Sequence, residues 1–204
     1  MDKKQLDTEK RILDAAKNVF IKKGMSGTRM QEIADEAGIN KSLLHYYFRN
    51  KETLFYTVFE ESLLKMLPML AGLFDSEKEL FGKIELFFEH YISFLISNPY
   101  LPEFILHELN MNPELLLNKF LKGNISTLKN IFFKQVEQEH KNGNIIDIKP
   151  SQLLINMISL SVFPIVAEPL LKGIFEMSED DFHSFLISRK KELADFVINS
   201  IKVK

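Results

Sequence analysis

Apolar positions recur along the chain mostly at helical spacing, and they predict helices almost throughout. Ile12, Leu13, Ala16, Val19 and Phe20 fall at i, i+1, i+4, i+7 and i+8, with Asp7 or Thr8 as the expected cap and Gly24 as the stop. Residues 28–48 hold two shorter patterns divided by a glycine. In the first, Ile33 and Ala37 are apolar and Ala34 is small where two helices would cross. In the second, which follows Ile39, Leu44, Tyr47 and Phe48 share one face. Gly38 stands where the intervening turn needs positive φ. Thr28 with Gln31 predicts a capping box for the first short helix, and Asn40 can accept from the free N–H groups that open the second.

That division places Ser42, Tyr46 and Arg49 opposite the apolar face of the second short helix, with Leu43 and His45 flanking. A helix end of this kind fits a DNA major groove about 12 Å wide, its first residues nearest the base edges and its N–H groups nearest phosphate. Ser42 is then a small hydrogen-bonding contact and Leu43 packs on a thymine methyl, while Lys41, His45, Tyr46 and Lys51 contact phosphates. Thr28, Arg29 and Asn40, at the starts of the two helices, complete the expected DNA-facing set. A hairpin that only packs has no need of an exposed, cationic second helix.

Asn50 is expected to cap a fourth helix from Lys51, carrying Leu54, Phe55, Val58, Phe59, Ser62 and Met66. It would join a head of residues 1–50 to a body of residues 51–204 and could carry motion between them. Pro68, Gly72, Pro99, Pro102, Pro113, Gly143, Pro150 and Gly173 punctuate the body, with Asn112-Pro113 and Pro150-Ser151 as expected helix starts. Residues 151–163 are apolar nearly all round, which predicts burial on more than one side. Pro164 and Pro169 are expected to interrupt that helix. The last helix, from Ser178, opens on Glu179, Asp180 and Asp181 against the helix dipole and carries Phe182, Phe185, Leu186, Leu193, Phe196 and Val197. Two apolar helices at the C-terminus suit a symmetric interface, and one short recognition helix is too small to specify an operator alone, so a homodimer is expected. The same two helices could instead only close the core of one chain.

Charge sharpens this division. The 204 residues carry a net charge of −2, but residues 1–52 hold 11 Lys+Arg against 8 Asp+Glu, net +3, and the remainder 15 against 20, net −5. The basic part is the part with the motif. The absence of cysteine excludes disulfides, a thiolate nucleophile and Cys-based zinc sites. The opening MDKKQLDTEKR lacks the apolar stretch of a signal peptide, and the longest greasy run, residues 153–167, is too short to span a bilayer. A cytoplasmic protein without a membrane partner is expected. No glycine-rich phosphate loop or G-x-S-x-G occurs, and His107-Glu108 is followed by Leu109, Asn110 and Met111, which breaks H-E-x-x-H. The five His residues show no metal spacing, so neither enzyme activity nor a cofactor or metal is expected.

Residues 8–55 resemble the TetR family of bacterial transcription regulators. The resemblance rests on an amphipathic first helix ending in Gly24, the turn that follows Thr28, and the run LLHYYFRNKETLF. In that run Tyr46, Tyr47, Phe48, Lys51 and Leu54 occupy the family's places for an aromatic pair, a Phe and a Lys-containing link. Leu43 stands where a small Thr, Ser or Ala is common, and His45 where Tyr is common; both bear on base preference and leave the fold untouched. The resemblance covers about a quarter of the chain. It implies an all-α protein with a three-helix, helix-turn-helix head and a larger helical body for effector binding and dimerisation, the dimer formed by the last two helices. It also implies a regulator bound to an inverted-repeat operator in duplex DNA, most simply a repressor.

Between Phe55 and Phe175 lie 13 of the 18 phenylalanines, which suits a mostly apolar effector pocket. Its candidate lining is Phe59, His90, Tyr91, Phe94, Phe104, His107, Glu108, Asn156 and Glu168, each of which could equally be core or surface. A small effector would shift the population away from the form whose two recognition helices match successive major grooves about 34 to 36 Å apart. An activator, or an adaptor whose body contacts a protein instead of a small ligand, is open on the same sequence.

Overall fold

Nothing in the run from Lys3 to Lys10 breaks a helix, and in the computed structural model helix α1 (Lys3–Gly27) starts before Asp7 and Thr8, which lie inside it and do not cap it. The structure describes residues 3–74, 77–111, 113–114 and 125–203, except the side chains of residues 3–4, 61–64, 67, 71, 107–108, 111 and 125–129. The other helices among these residues are α2 (Met30–Glu36), α3 (Lys41–Tyr47), α4 (Lys51–Phe74), α5 (Leu80–Ser97), α6 (Leu101–Met111), α7 (Ile125–Lys141), α8 (Pro150–Val166), α9 (Glu168–Phe175) and α10 (Glu179–Ile201). The fold is all-α; among the described residues the one β feature is an isolated antiparallel bridge between Ile145 and Lys202. No single helix among them is long and apolar enough to cross a membrane. The chain forms two compact units, Met1–Lys65 and Met66–Lys204. This division falls inside α4, whereas the sequence pattern placed it at that helix's start.

In the first unit Gly24 does interrupt α1: its φ of 65° and ψ of 173° are open to glycine and costly for any other residue. Ile12, Ala16 and Phe20 of α1 are fully buried with Ile33, Leu44 and Leu54. The Phe20 and Phe55 rings meet edge to face at 4.7 Å, worth about 0.5 to 1.5 kcal/mol beyond area burial. Asn50 caps α4 as expected, its side chain accepting from the Thr53 N–H at 2.7 Å.

The second unit is built around α5, which lies along α10 and also touches α7 and α8. Its inner face, including Leu80, Ile84, Phe87, Phe88, Tyr91 and Leu95, is buried, and the Phe87 ring is part of a cluster with Phe74 and Phe132. Lys83 is buried too, its ammonium donating to the Phe74 carbonyl at the C-terminal end of α4, where a helix favours positive charge. Two expected breaks are absent, since α4 runs on through Pro68 and Gly72. Asn112 lies outside the described residues.

Pro150 opens α8 at its first helical position, with Lys149 as N-cap. Pro164 sits inside α8 without ending it, and the break comes at Ala167, where α8 and α9 bend by 73°. A proline at 164 leaves the Leu160 carbonyl without its helical donor. Arg189 of α10 supplies one at 3.0 Å, its guanidinium lying 5.3 Å from the Phe185 ring centre. Pro169 falls in the first turn of α9, where its missing N–H costs nothing.

Within one chain α8 is buried on one side only, contrary to the expectation from its composition. Leu153, Met157, Pro164 and Ile165 are buried, while Ile155, Phe163 (59% exposed) and Val166 face outward. Helix α9 buries none of its residues and exposes Leu170, Ile174 and Phe175. Helix α10 begins with a reciprocal capping box, the Ser178 hydroxyl accepting from the Asp181 N–H while the Asp181 carboxylate accepts from the Ser178 N–H. The Ser178 bonds hold the Asp181 carboxyl below its usual pKa. Its apolar set does not form one face: Phe182, Leu186, Leu193 and Val197 are buried, but Phe196 is 62% exposed.

Candidate nucleic-acid interface

Helix α2 begins one residue later than the sequence pattern suggests. Arg29 is its N-cap, extended at φ −111° and ψ 142°, and the Glu32 carboxylate reaches back to accept the Arg29 N–H at 3.0 Å. Lys23 of α1 donates to the same carboxylate at 2.7 Å. The Lys23 hydrogen bond, with that from the Arg29 backbone, holds the Glu32 carboxyl below its usual pKa. The expected box of Thr28 and Gln31 is therefore absent. Thr28 turns inward, only 2% exposed, and its hydroxyl donates to the Gly24 carbonyl at 2.7 Å, while Gln31 pairs with Asp35 on the helix surface. Its side chain is not on the outer surface with the other candidates.

The far end of α2 closes with two backbone bonds, Ile39 N–H to the Ala34 carbonyl at 3.0 Å and Gly38 N–H to the Asp35 carbonyl at 3.1 Å. This is the Schellman pattern, and it requires the φ of 63° that Gly38 adopts. The pattern leaves the Ala37 carbonyl without a partner inside the helix, and Arg11 of α1 donates to it at 2.6 Å. A Cβ at position 38 would also approach that guanidinium nitrogen to 3.3 Å. Helix α3 then starts as predicted, the Asn40 side chain accepting from the Leu43 N–H at 2.7 Å. Lys51, half-buried, donates to the Thr28 carbonyl at 3.1 Å. The start of α2 is thus held from α4, and its end from α1.

These ties present α3 in a fixed orientation within the first unit. Leu44 and Phe48 are buried and Tyr47 is half-buried, so Lys41, Ser42, Leu43 (37% exposed), His45 and Tyr46 (75% exposed) face outward together. Arg29 is exposed as well. The Tyr46 ring stands edge to face on Tyr47 at 5.5 Å, and His45 Nδ1 lies 3.2 Å from the Arg49 carbonyl. A protruding row of cationic, hydroxyl, aliphatic and aromatic groups on a two-turn helix has the donors for phosphate and the small contacts for base edges. Arg11 and Lys23 carry no local signal of their parts, because their bonds span 26 and 9 residues of sequence.

Residues 12–58 match the family described as bacterial regulatory proteins, tetR family. The chain belongs to the TetR family. The matched residues are those of the α1–α4 arrangement just described, and the TetR-family chain is a DNA-binding transcription regulator. It is 23% identical to the probable HTH-type transcriptional regulator YttP of Bacillus subtilis, over 85% of this chain and 84% of that protein. With the HTH-type transcriptional regulator RutR of Escherichia coli it shares 41% identity over 64 residues, 31% of this chain and 30% of that one. The crystal structure of the transcriptional regulator FadR from Bacillus subtilis, in complex with stearoyl-CoA, matches with a TM-score of 0.61 at 17% identity, over 93% of this chain and 97% of that chain. That likeness is one of fold.

The expected effector residues are scattered. Tyr91 and Phe104 are buried in the second unit and Phe94 is half-buried there, while Phe59 is buried in the first. His90 and Asn156 are exposed in the single chain, on the solvent sides of α5 and α8, and do not line a core pocket there. Glu168 is half-buried and paired with Lys172 at 3.5 Å. The side chains of His107 and Glu108 lie outside the described residues. Two described clefts of the second unit, of about 420 Å³ beside Glu79 and Lys202 and about 760 Å³ beside Glu89 and Asp195, contain none of these candidates. The polar residues of long amphipathic helices are hard to assign from sequence, because solvent faces and pocket faces share one spacing.

Proposed function

We propose that this TetR-family regulator is a homodimeric repressor that reads an inverted-repeat operator through α3 and leaves it when a small, mostly apolar effector binds the body. Residues 1–50 act as the head and residues 51–204 as the body. The carrying observation is the outward row on α3, fixed by a buried Leu44 and Phe48 and by the ties that α1 and α4 make to the two ends of the preceding α2. Ser42 and Leu43 meet base edges, with Lys41, His45, Tyr46 and Arg29 on phosphates. Asn40, whose oxygen is engaged as the cap, contributes its N–H groups, and Lys51 has two further ammonium protons to offer a phosphate.

Dimerisation is supported by what α8, α9 and α10 leave uncovered. Ile155, Phe163, Val166, Leu170, Ile174 and Phe196 are all 45% exposed or more, and scattered single apolar residues need no partner whereas such a concentration on consecutive helices does. Effector binding is supported by the aromatic inner face of α5 and, at the level of fold, by FadR with its stearoyl-CoA. The ligand must favour one body conformation over the other, since equal affinity for both would shift nothing.

The test is the mass of the protein on a labelled inverted-repeat duplex in solution. Two chains per duplex, and one or none on an isolated half-site at the same concentration, is the expected result. One chain bound equally well to either probe would overturn the dimer, and a complex that no apolar small molecule dissociates would favour a protein-contacting adaptor.

A further inference from the structure

The chain leaves α3 in an extended turn at Phe48, φ −132° and ψ 107°, and the burial of Phe48 together with the Asn50 cap of α4 fixes the Arg49 carbonyl between them. His45 Nδ1 lies 3.2 Å from that carbonyl. A carbonyl oxygen only accepts, so Nδ1 is the nitrogen that carries the proton. A neutral imidazole has one N–H, which leaves Nε2 as a bare acceptor. Among the described residues nothing donates to Nε2, and the side chain is exposed, one helical turn along from Lys41 and Ser42.

That proton placement narrows what the ring can meet on DNA. Phosphate oxygens are acceptors too, so position alone sets His45 among the phosphate contacts and its own hydrogen bond takes it away from them. Of the groups that base pairs show in the major groove, N7, O6 and O4 accept, and the donors are the exocyclic amino groups, N4 of cytosine and N6 of adenine. We infer that His45 is a specificity-determining residue, its Nε2 accepting from one cytosine or adenine amino group in each half-site while the Arg49 carbonyl holds Nδ1. This rests on the reading of α3 as the helix in the major groove, and within that reading it replaces the phosphate contact of His45 by a base contact. Lys41 and Arg29 can only donate, Ser42 and Tyr46 can do either and Leu43 neither, so His45 is the one fixed acceptor of the outward row.

The experiment takes the half-site that the natural chain selects and replaces each of its cytosines and adenines in turn by the analogue with hydrogen in place of the amino group, 2-pyrimidinone or purine. At one position the loss should weaken binding of the natural chain about five- to tenfold, the worth of one hydrogen bond, and His45→Phe should be indifferent to it. His45→Phe keeps a ring at an exposed site, so it should melt close to the natural chain and bind with the same salt slope. Nitrogen NMR of the free chain in mildly alkaline buffer, where an ordinary imidazole is neutral, should place the His45 proton on Nδ1. A proton on Nε2, a salt slope lower by about one unit in His45→Phe, or no position whose amino group matters through His45 would each overturn the inference. Ser42→Ala and Leu43→Ala distinguish failure of this contact from failure of α3 as the reading helix. If they shift base preference and His45→Phe does not, the His45 contact alone fails; if none of the three shifts it, or no half-site is selected, both fail.

Discussion

The guanidinium of Arg11 donates to the Ala37 carbonyl at 2.6 Å, joining α1 to the turn before the recognition helix. It satisfies a carbonyl that the Schellman ending of α2 leaves open, so the angle at which α3 departs depends on a residue 26 positions away. Arg11→Ala should lower the stability of the first unit by about 1 kcal/mol and weaken operator binding. The dependence of binding on salt should not change, because Arg11 holds protein and not phosphate. Melting curves and binding at several salt concentrations check both, and a salt slope lower by about one unit would make Arg11 a phosphate contact instead.

Gly38 is required on two grounds, its φ of 63° and the Arg11 guanidinium 3.3 Å from where a Cβ would lie. Gly38→Ala should therefore cost about 1 to 2 kcal/mol, and part of that cost should vanish in an Arg11→Ala background. Chemical denaturation of the two single variants and the double variant measures the coupling. Additive costs would show that only the backbone conformation matters.

On the outer face of α3 the assignments separate by charge. Lys41→Ala should weaken binding to every duplex alike and lower the salt slope by about one unit. Ser42→Ala and Leu43→Ala should instead change which bases are preferred and leave the slope unaltered. Lys51→Ala should weaken binding and also lower the melting temperature, because its ammonium ties the Thr28 carbonyl. A Lys51→Ala protein of unaltered stability would show that this tie carries no weight.

Arg189 and Pro164 form a second dependent pair, since the arginine donates to the Leu160 carbonyl that the proline leaves open. Arg189→Ala should cost about 1 kcal/mol in the natural chain. In a Pro164→Ala background, where position 164 regains its N–H, the same change should cost clearly less. Equal costs in both backgrounds would place the value of Arg189 in its stacking on Phe185.

Local chemistry made much of this fold readable. Gly24, Gly38, Asn40, Asn50 and Ser178 mark turns and caps because each acts within four residues, and the alternation of Leu44 and Phe48 with Ser42 and Tyr46 separates core from surface on so short a helix. The first cap of the motif was misplaced by one residue because Thr28-Gln31 and Arg29-Glu32 offer similar spacings, and only packing shows that Thr28 turns inward. The body was less readable. Pro68 and Pro164 are carried inside helices, the latter with its orphaned carbonyl served by Arg189 from another helix, a relation with no local trace. His90 and Asn156 looked like pocket groups and face outward, while Tyr91, one residue from His90, is the buried one.

The central claim, sequence-specific reading by α3 in a symmetric pair, is tested most directly by selecting bound duplexes from a random pool with the purified chain at near-physiological salt. The account predicts enrichment of an inverted repeat whose half-site centres lie about 34 to 36 Å apart, with Leu43→Ala shifting the preferred bases inside each half-site. Recovery of a pool without a shared motif, held only by generic binding that added salt removes, would contradict it.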